Sequence, residues 1–327
     1  MVRKEGSHTM ERILCGDALE QLRLLAPDSI NTCITSPPYY NLRDYGVAGQ
    51  IGLEKTPEEY IGKLVSVFRE VRRILRSDGT LWVIIGDSYA TRSGTQPPAN
   101  AQNSYNCAKQ CLPDGYKCKD LMGIPWMLAF ALRDDGWYLR QDIIWNKPNA
   151  MPESVKNRCT KSHEYIFLLS KSGKYYFDHL AIREPCSEVT INDFKRRKGL
   201  ENKGGKPGTF GAEVRPDLYR SRADYIPKDF MRNKRDVWTI NTGGFKGAHY
   251  AVFPERLVEP CILAGCPEGG TILDPFTGSG TTGMAAKRLR RNFVGVELNP
   301  KYWQMAVDRI AGTVPEPQQF QIDGMIT

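Results

Sequence analysis

Apolar residues recur along the chain at two spacings. From Thr56 onward, Tyr60, Leu64, Phe68, Val71 and Leu75 share one face at helical spacing, and Thr56, Pro57 and Glu59 supply a cap, a first-turn proline and a capping-box acid. A helix is expected there, stopped by Ser77-Asp78-Gly79 and followed by a buried strand from Thr80 to Ile85. Short β-branched runs predict strands at Asn31 to Thr35, Thr271 to Leu273 and Asn292 to Val296. They also predict a hairpin joining Tyr165–Leu169 to Lys174–Phe177 across Lys171-Ser172-Gly173. Helical patterns cover Pro125–Arg133, Pro254–Leu263, Thr281–Arg291 and Pro300–Ile310, three of them opened by proline, and Pro260 is expected to kink the second. Strands alternating with helices predict an α/β fold with a mostly parallel sheet.

Two stretches break this rhythm. Ala90 to Lys119 is rich in Gly, Pro, Asn and Gln and reads as a long surface loop. Ser187 to Asp236 carries 13 Lys or Arg against 8 Asp or Glu, with Phe194, Phe210, Tyr219, Tyr225 and Phe230 interspersed, a mixture that suits nucleic acid or a solvated insertion. The net charge of +8 leans the same way. With 41% hydrophobic and 25% charged residues and no long apolar run, the composition excludes a helical membrane span and a disordered chain. Nine cysteines without a C-x-x-C pair do not make a disulfide scaffold, and no secretory segment is visible, so a reducing, cytoplasmic setting is expected. Residues 1–10, which include Gly-Ser-His, are set aside as a disordered start or a tag remnant.

Candidate chemistry lies in two loops. Asp274-Pro275-Phe276-Thr277-Gly278-Ser279-Gly280-Thr281-Thr282-Gly283 follows a strand, opens a helix and has the G-x-G-x-x-G spacing, with Glu297 19 residues past Gly278 at the end of the next strand. Such a turn admits a ligand close to the backbone, and an acid at the second strand end can accept from ribose hydroxyls. Asp274 would repel a pyrophosphate but favour an ammonium or sulfonium group, which points to S-adenosyl-L-methionine rather than a dinucleotide. The second loop, Ser36-Pro37-Pro38-Tyr39, also ends a strand. Its prolines cannot donate, so it offers carbonyls, a hydroxyl and an aromatic plane, a set that suits an amino group on a flat ring.

Taken together and in this order, the two loops resemble the amino-group DNA methyltransferases of the permuted class, in which the catalytic motif precedes the cofactor loop. The resemblance covers nearly all of the chain after Met10 and implies a Rossmann-like, circularly permuted methyltransferase fold. It implies catalytic roles for Ser36, Pro37, Pro38 and Tyr39, and cofactor contacts from Asp274, Phe276, Gly278, Ser279, Gly280, Thr281, Thr282 and Glu297. Asp17, in Gly16-Asp17-Ala18-Leu19, would lie near the adenine, and Phe253, in His249 to Leu257, over the cofactor methionine. Residues 11–182 and 237–327 become the catalytic and cofactor halves, and 183–236 a target-recognition insertion whose Lys195, Arg196, Arg197, Lys198, Arg220 and Arg222 would meet duplex DNA. A restriction endonuclease is a possible partner, and the protein is expected to act as a monomer or homodimer.

Serine at the head of the motif resembles the cytosine-N4 enzymes, with adenine-N6 as the alternative. Carbon-5 cytosine chemistry would need a cysteine nucleophile, and the Pro-Cys pairs, Pro185-Cys186 and Pro260-Cys261, lack the family context for one. Cys107, Cys111 and Cys118 with Cys159 or His163 match no zinc spacing, and His163, His179 and His249 form no metal triad. Gly86 to Tyr89 and Trp145 to Pro148, both near strand ends, are expected to face substrate. An oxidoreductase would leave Ser36 to Tyr39 unexplained, whereas a DNA-binding protein that has lost turnover is the rival from another class.

Overall fold

The computed structural model describes residues 10–90, 115–192, 196, 230–243 and 253–316. Its elements, in chain order, begin with β1 (Glu11–Cys15), α1 (Ala18–Arg23), β2 (Ile30–Thr35), α2 (Pro57–Ile74), β3 (Leu75–Ile85), α3 (Ile124–Asp134), β4 (Tyr138–Asn146) and β5 (His163–Ser170). They continue with β6 (Glu184–Pro185), β7 (Met231–Arg232), β8 (Val237–Thr239), α4 (Glu255–Gly265), β9 (Thr271–Asp274), α5 (Thr281–Arg288), β10 (Asn292–Glu297) and α6 (Pro300–Ala311). Eight strands form one sheet in the order β1-β10-β9-β2-β3-β5-β4-β8. Every neighbouring pair in it is parallel except the two made by β5.

Helices cover both faces of this sheet, as parallel strands require. Cys33, Leu81, Val83 and Ile85 share a core cluster with Leu22 of α1, Tyr60, Leu64, Phe68 and Val71 of α2, and Leu128 and Leu132 of α3. The alternate residues of the same strands meet α4. A Cβ on Gly265 would lie 2.8 Å from Trp82 Nε1 and 3.0 Å from Thr32 Oγ1, so the helix backbone rests directly on them. There Thr32 and Thr80 pair hydroxyls at 2.8 Å and Trp82 Nε1 donates to Thr80 Oγ1, satisfying polar groups that have no water.

Local signals explain most helix starts. Thr56 Oγ1 accepts from the Glu59 N–H, while Glu59 reaches back to the N–H of Lys55, one residue earlier than a capping box has it. Pro125 and Pro300 open α3 and α6, but Pro254 is the residue before α4 rather than its first turn. Pro260 does lie inside α4.

Three expectations are corrected. Helix α2 ends at Ile74, and Ser77-Asp78-Gly79 is a bulge inside β3: Ile30 pairs with Leu75 but Thr32 with Thr80, so the extra residues loop out of a strand already begun. The hairpin does not form, because β5 lies between β3 and β4 with both edges taken, leaving Lys174–Phe177 no edge to join. Helix α5 stops at Arg288, three residues short of the periodic pattern. The chain ends near its beginning in the sheet, since β1 and β10 pair in parallel from Glu11↔Phe293 to Cys15↔Glu297.

Chain contacts divide the molecule into a unit of residues 1–177 with 236–327 and a smaller unit, Asp178–Arg235. Within the smaller one, β6 and β7 pair antiparallel and Glu184 binds both Arg232 and Arg235, which hold its carboxyl below the usual range against the opposing effect of burial.

In the larger unit, Gly283 lets α5 approach β10. A Cβ there would lie 2.3 Å from Ile310 Cδ1 and 2.8 Å from the buried Phe293 ring. The isoleucine tip can swing aside, but the ring cannot. Gly283→Ala is therefore expected to destabilise by about 1–3 kcal/mol despite a helix-propensity gain of about 1 kcal/mol, seen as a lower urea midpoint at unchanged slope.

Candidate active site

The two chemistry-bearing loops leave neighbouring strands. β2 and β9 pair in parallel, Thr32↔Ile272 and Cys33↔Leu273, so Ser36 and Asp274 emerge side by side at the carboxyl edge, where open α/β sheets hold ligands. Thr35 Oγ1 ties the loops by donating to Asp274 at 2.7 Å. Ser36, Pro37, Pro38 and Tyr39 from one loop, and Phe276, Gly278, Ser279 and Thr281 from the other, line one cavity of about 400 Å³ with Asp17, Phe253 and Glu297.

On the glycine side, Glu297 Oε2 accepts from the Gly278 N–H at 2.8 Å and Oε1 from the Asn299 N–H at 2.9 Å. Each carboxylate oxygen retains a lone pair, so the group can also accept from a ligand's hydroxyls. Burial raises its pKa. Gly278 and Gly280, at φ 55° and 85°, make the left-handed turn into α5. Just beyond it, Thr281 Oγ1 is buried in the cavity wall with no partner among the described residues. An orphaned hydroxyl at a helix N-terminus suits a carboxylate, so this wall fits S-adenosyl-L-methionine at both its amino-acid and its ribose ends. Asp17 lines the cavity beside Glu297, since Cys15 pairs with Glu297 and the Gly16 N–H donates to the Glu297 carbonyl, and it caps α1 by accepting from the Glu20 N–H.

Asp274, Gly280 and Thr282 are not in the lining. Asp274 is 1% exposed and turned inward, accepting from the Thr35 and Thr282 hydroxyls and the Phe276 N–H, so its carboxylate organises the loop rather than facing a cation in the cavity. Burial pushes its pKa up to about 6 from 3.8, the three donors only moderating the rise. The folded chain therefore takes up this proton before the unfolded one does. Stability rises as pH falls from about 6 to about 4, by a few kcal/mol at most, and Asp274→Asn is expected to flatten that part of a urea-midpoint profile.

On the proline side, two adjacent tyrosines part company. Tyr40 is buried against Tyr60, ring centroids 5.4 Å apart, and the Tyr60 hydroxyl donates to the Pro38 carbonyl. Tyr39 faces the cavity, and its hydroxyl donates to Glu164 Oε2 at 2.7 Å. Burial and the Glu164 charge push the Tyr39 phenol well above its usual pKa, with Ser36 acting weakly the other way, so Tyr39 stays protonated. Lys147 binds the other oxygen of Glu164, and its ammonium lies 4.2 Å from the centre of the Trp145 ring. Trp145, Lys147 and Glu164 all line the cavity. Gly86 makes the packing possible: a Cβ on it would lie 2.8 Å from Tyr39 Cε2.

Sequence reading marked Gly86 and Trp145–Pro148 by their strand ends but missed Glu164 and the residues Arg43, Tyr45 and Gln50, which the loop after Tyr40 adds to the lining. Glu164 lies 125 residues from Tyr39 and carries no local signal. Asp87, expected to face substrate, instead caps α3 by accepting from the Gly123 and Ile124 N–H groups. No cysteine lines the cavity, and the described residues hold no cluster of metal ligands and no helix long and apolar enough to cross a membrane. Of the candidate DNA contacts, Arg196 is described, whereas Lys195, Arg197, Lys198, Arg220 and Arg222 lie outside the described residues, as do Cys107, Cys111 and His249.

Residues 30–308 match the N6_N4_Mtase family model, described as DNA methylase. The chain is 46% identical over 299 residues to the Type II methyltransferase M.Cfr9I of Citrobacter freundii, covering 91% of this chain and 86% of that one. It is also 46% identical over 301 residues to the Type II methyltransferase M.SmaI of Serratia marcescens, covering 91% and 90%. Among solved structures, the cytosine-N4-specific PvuII DNA methyltransferase shares the fold at TM-score 0.61 and 19% identity, over 93% of this chain and 87% of that one. TTHA0409 from Thermus thermophilus, solved with S-adenosyl-L-methionine, aligns at TM-score 0.57 and 25% identity, over 94% and 97%.

Proposed function

This chain belongs to the N6/N4 amino-group DNA methylases, which depend on S-adenosyl-L-methionine, and we propose from that premise that it methylates the N4 amine of cytosine in duplex DNA. The observation that carries the choice of base is the hydroxyl at the head of the catalytic loop: Ser36, not a carboxylate, faces the cavity beside Tyr39. Cytosine's ring nitrogen next to the amine is more basic than adenine's, so its amine can be activated by a neutral acceptor. The cytosine-N4 specificity of the PvuII enzyme, which has this fold, supports the same reading.

A paired base hides its amine, so the target nucleotide turns out of the helix into the cavity, at a cost of a few kcal/mol. Stacking on Tyr39 offsets about 1–3 kcal/mol of that. Glu164 holds the Tyr39 hydroxyl and so sets the ring plane. Ser36 and the adjacent carbonyls accept the amine hydrogens and localise the nitrogen lone pair, and the surplus proton leaves through Ser36, a carbonyl or water. When bound, S-adenosyl-L-methionine supplies an electrophilic methyl group on a sulfonium centre. Glu297 would hold the ribose hydroxyls, Asp17 would lie near the adenine, and Thr281 with the first turn of α5 would hold the carboxylate.

Lys195, Arg196, Arg197, Lys198, Arg220 and Arg222 would give the 183–236 insertion its hold on DNA. The Type II relatives support a place in restriction–modification beside a cognate endonuclease. The test incubates the protein with mixed-sequence duplex and isotopically labelled S-adenosyl-L-methionine, then digests the DNA to nucleosides. Labelled N4-methylcytosine supports the reading, and N6-methyladenine moves the assignment to adenine. Duplex binding without label indicates a binder that has lost turnover.

A further inference from the structure

The loop from Lys147 to Lys161 starts in the cavity wall at Lys147, and its tip is apolar. Met151 is 84% exposed, the most exposed of the large apolar side chains among the described residues. A lone exposed methionine is ordinary on a protein surface. Its placement is not. Lys147 and Thr242 both line the cavity. Asn149, between Lys147 and the tip, is clamped to Thr242, its amide donating to the Thr242 carbonyl at 3.2 Å and accepting from the Thr242 N–H at 2.9 Å. The Ala150 N–H then donates to the Lys147 carbonyl at 3.1 Å, closing a turn just before Met151. Met151 is two residues past the clamp, so its Cα lies within about 8 Å of that of Asn149. Pro148 and Pro152 bracket the tip and restrict its backbone.

The flanks of the loop are basic. Lys147, Lys156, Arg158 and Lys161 outnumber the loop's one carboxylate, Glu153; Arg158 pairs with Glu153, Lys147 with Glu164 outside the loop, and Lys161 donates to the Asp87 carbonyl, which leaves the arms with a net positive charge. Arg158 also packs over the Tyr89 ring at 4.0 Å, fixing the far arm of the loop. A slender apolar tip between cationic arms matches one surface chemistry in particular, a base step flanked by phosphates, and apolar wedges that enter such steps include methionine.

We propose that Met151 is the wedge that enters the duplex where the target nucleotide leaves it, filling the gap and blocking its return. This rests on the turned-out base of the proposed function. Met151 touches neither cofactor nor amine; it acts on the opening equilibrium of the helix, which is what the test reads.

Duplexes carrying the methylation site, mapped by sequencing the methylated positions of the mixed-sequence DNA, with 2-aminopurine at the target position, report unstacking by fluorescence. The unaltered chain is expected to raise the signal on binding. Met151→Gly should lose most of that rise and lower kcat/KM on a fully paired duplex by about tenfold, while Met151→Leu, still apolar, stays close to the unaltered chain. Placing an abasic site opposite the target removes the pairing cost and should restore Met151→Gly to within about threefold of the unaltered chain. Unchanged S-adenosyl-L-methionine binding by calorimetry shows that each variant is folded. A Met151→Gly chain that unstacks and methylates the paired duplex as well as the original overturns the wedge alone. No fluorescence rise with the unaltered chain overturns the turned-out base, and the wedge with it.

Discussion

Ser36→Ala is expected to lower the single-turnover rate of methyl transfer by about 10²- to 10⁴-fold, the range associated with losing a positioned proton acceptor. The geometry leaves few substitutes. Tyr39 is held protonated by burial and the Glu164 carboxylate, and its hydroxyl is committed to that carboxylate, so it does not stand in for Ser36 as acceptor. The Pro38 carbonyl is already engaged by Tyr60. Binding of S-adenosyl-L-methionine, measured by calorimetry, should stay within about twofold, because Ser36 belongs to the opposite wall. A rate within threefold of the original would remove Ser36 from the chemistry.

Glu297→Ala is expected to have the second large effect, acting on the other wall. Its carboxylate holds two backbone N–H groups, those of Gly278 and Asn299, which fix the glycine turn against the end of β10. Removing it leaves both donors unpaired at about 1–3 kcal/mol each and deletes the acceptor for the ribose hydroxyls. With each 1.4 kcal/mol worth tenfold, the dissociation constant for S-adenosyl-L-methionine should rise by about 10²-fold or more. Glu297→Gln keeps one acceptor oxygen and should lose about tenfold. An affinity unchanged in both variants would mean the ribose is held elsewhere.

Much of this site is written locally. Gly278 and Gly280 mark the turn because few other residues sit easily at positive φ, and Pro37-Pro38 mark a stiff segment by losing their donors. The start of α2 was equally legible, since Thr56 caps within its own first turn. What escaped depends on partners far along the chain. Lys174–Phe177 has the composition of a strand, yet β5 has no edge to give it, a fact set by sheet order. Ser77-Asp78-Gly79 looks like a helix stop until the pairing of Ile30 with Leu75 places it inside a strand. Asp274 was read from its charge, whereas its burial and three donors decide what that charge does. Glu164 and Gly86 shape the Tyr39 position from separate strand ends, and no periodicity reports that convergence.

The central claim is that one cavity, walled by loops from the adjacent strands β2 and β9, brings a methyl donor and a nucleobase amine together. The most direct measurement is a crystal structure of the protein with its mapped duplex and a non-transferable S-adenosyl-L-methionine analogue. The account predicts a cytosine out of the helix, stacked on Tyr39 with its amine at Ser36, and about 3–3.5 Å between the N4 atom and the position of the transferable group. A target base still paired, or bound away from Ser36 with the analogue on the Glu297 side, would contradict it.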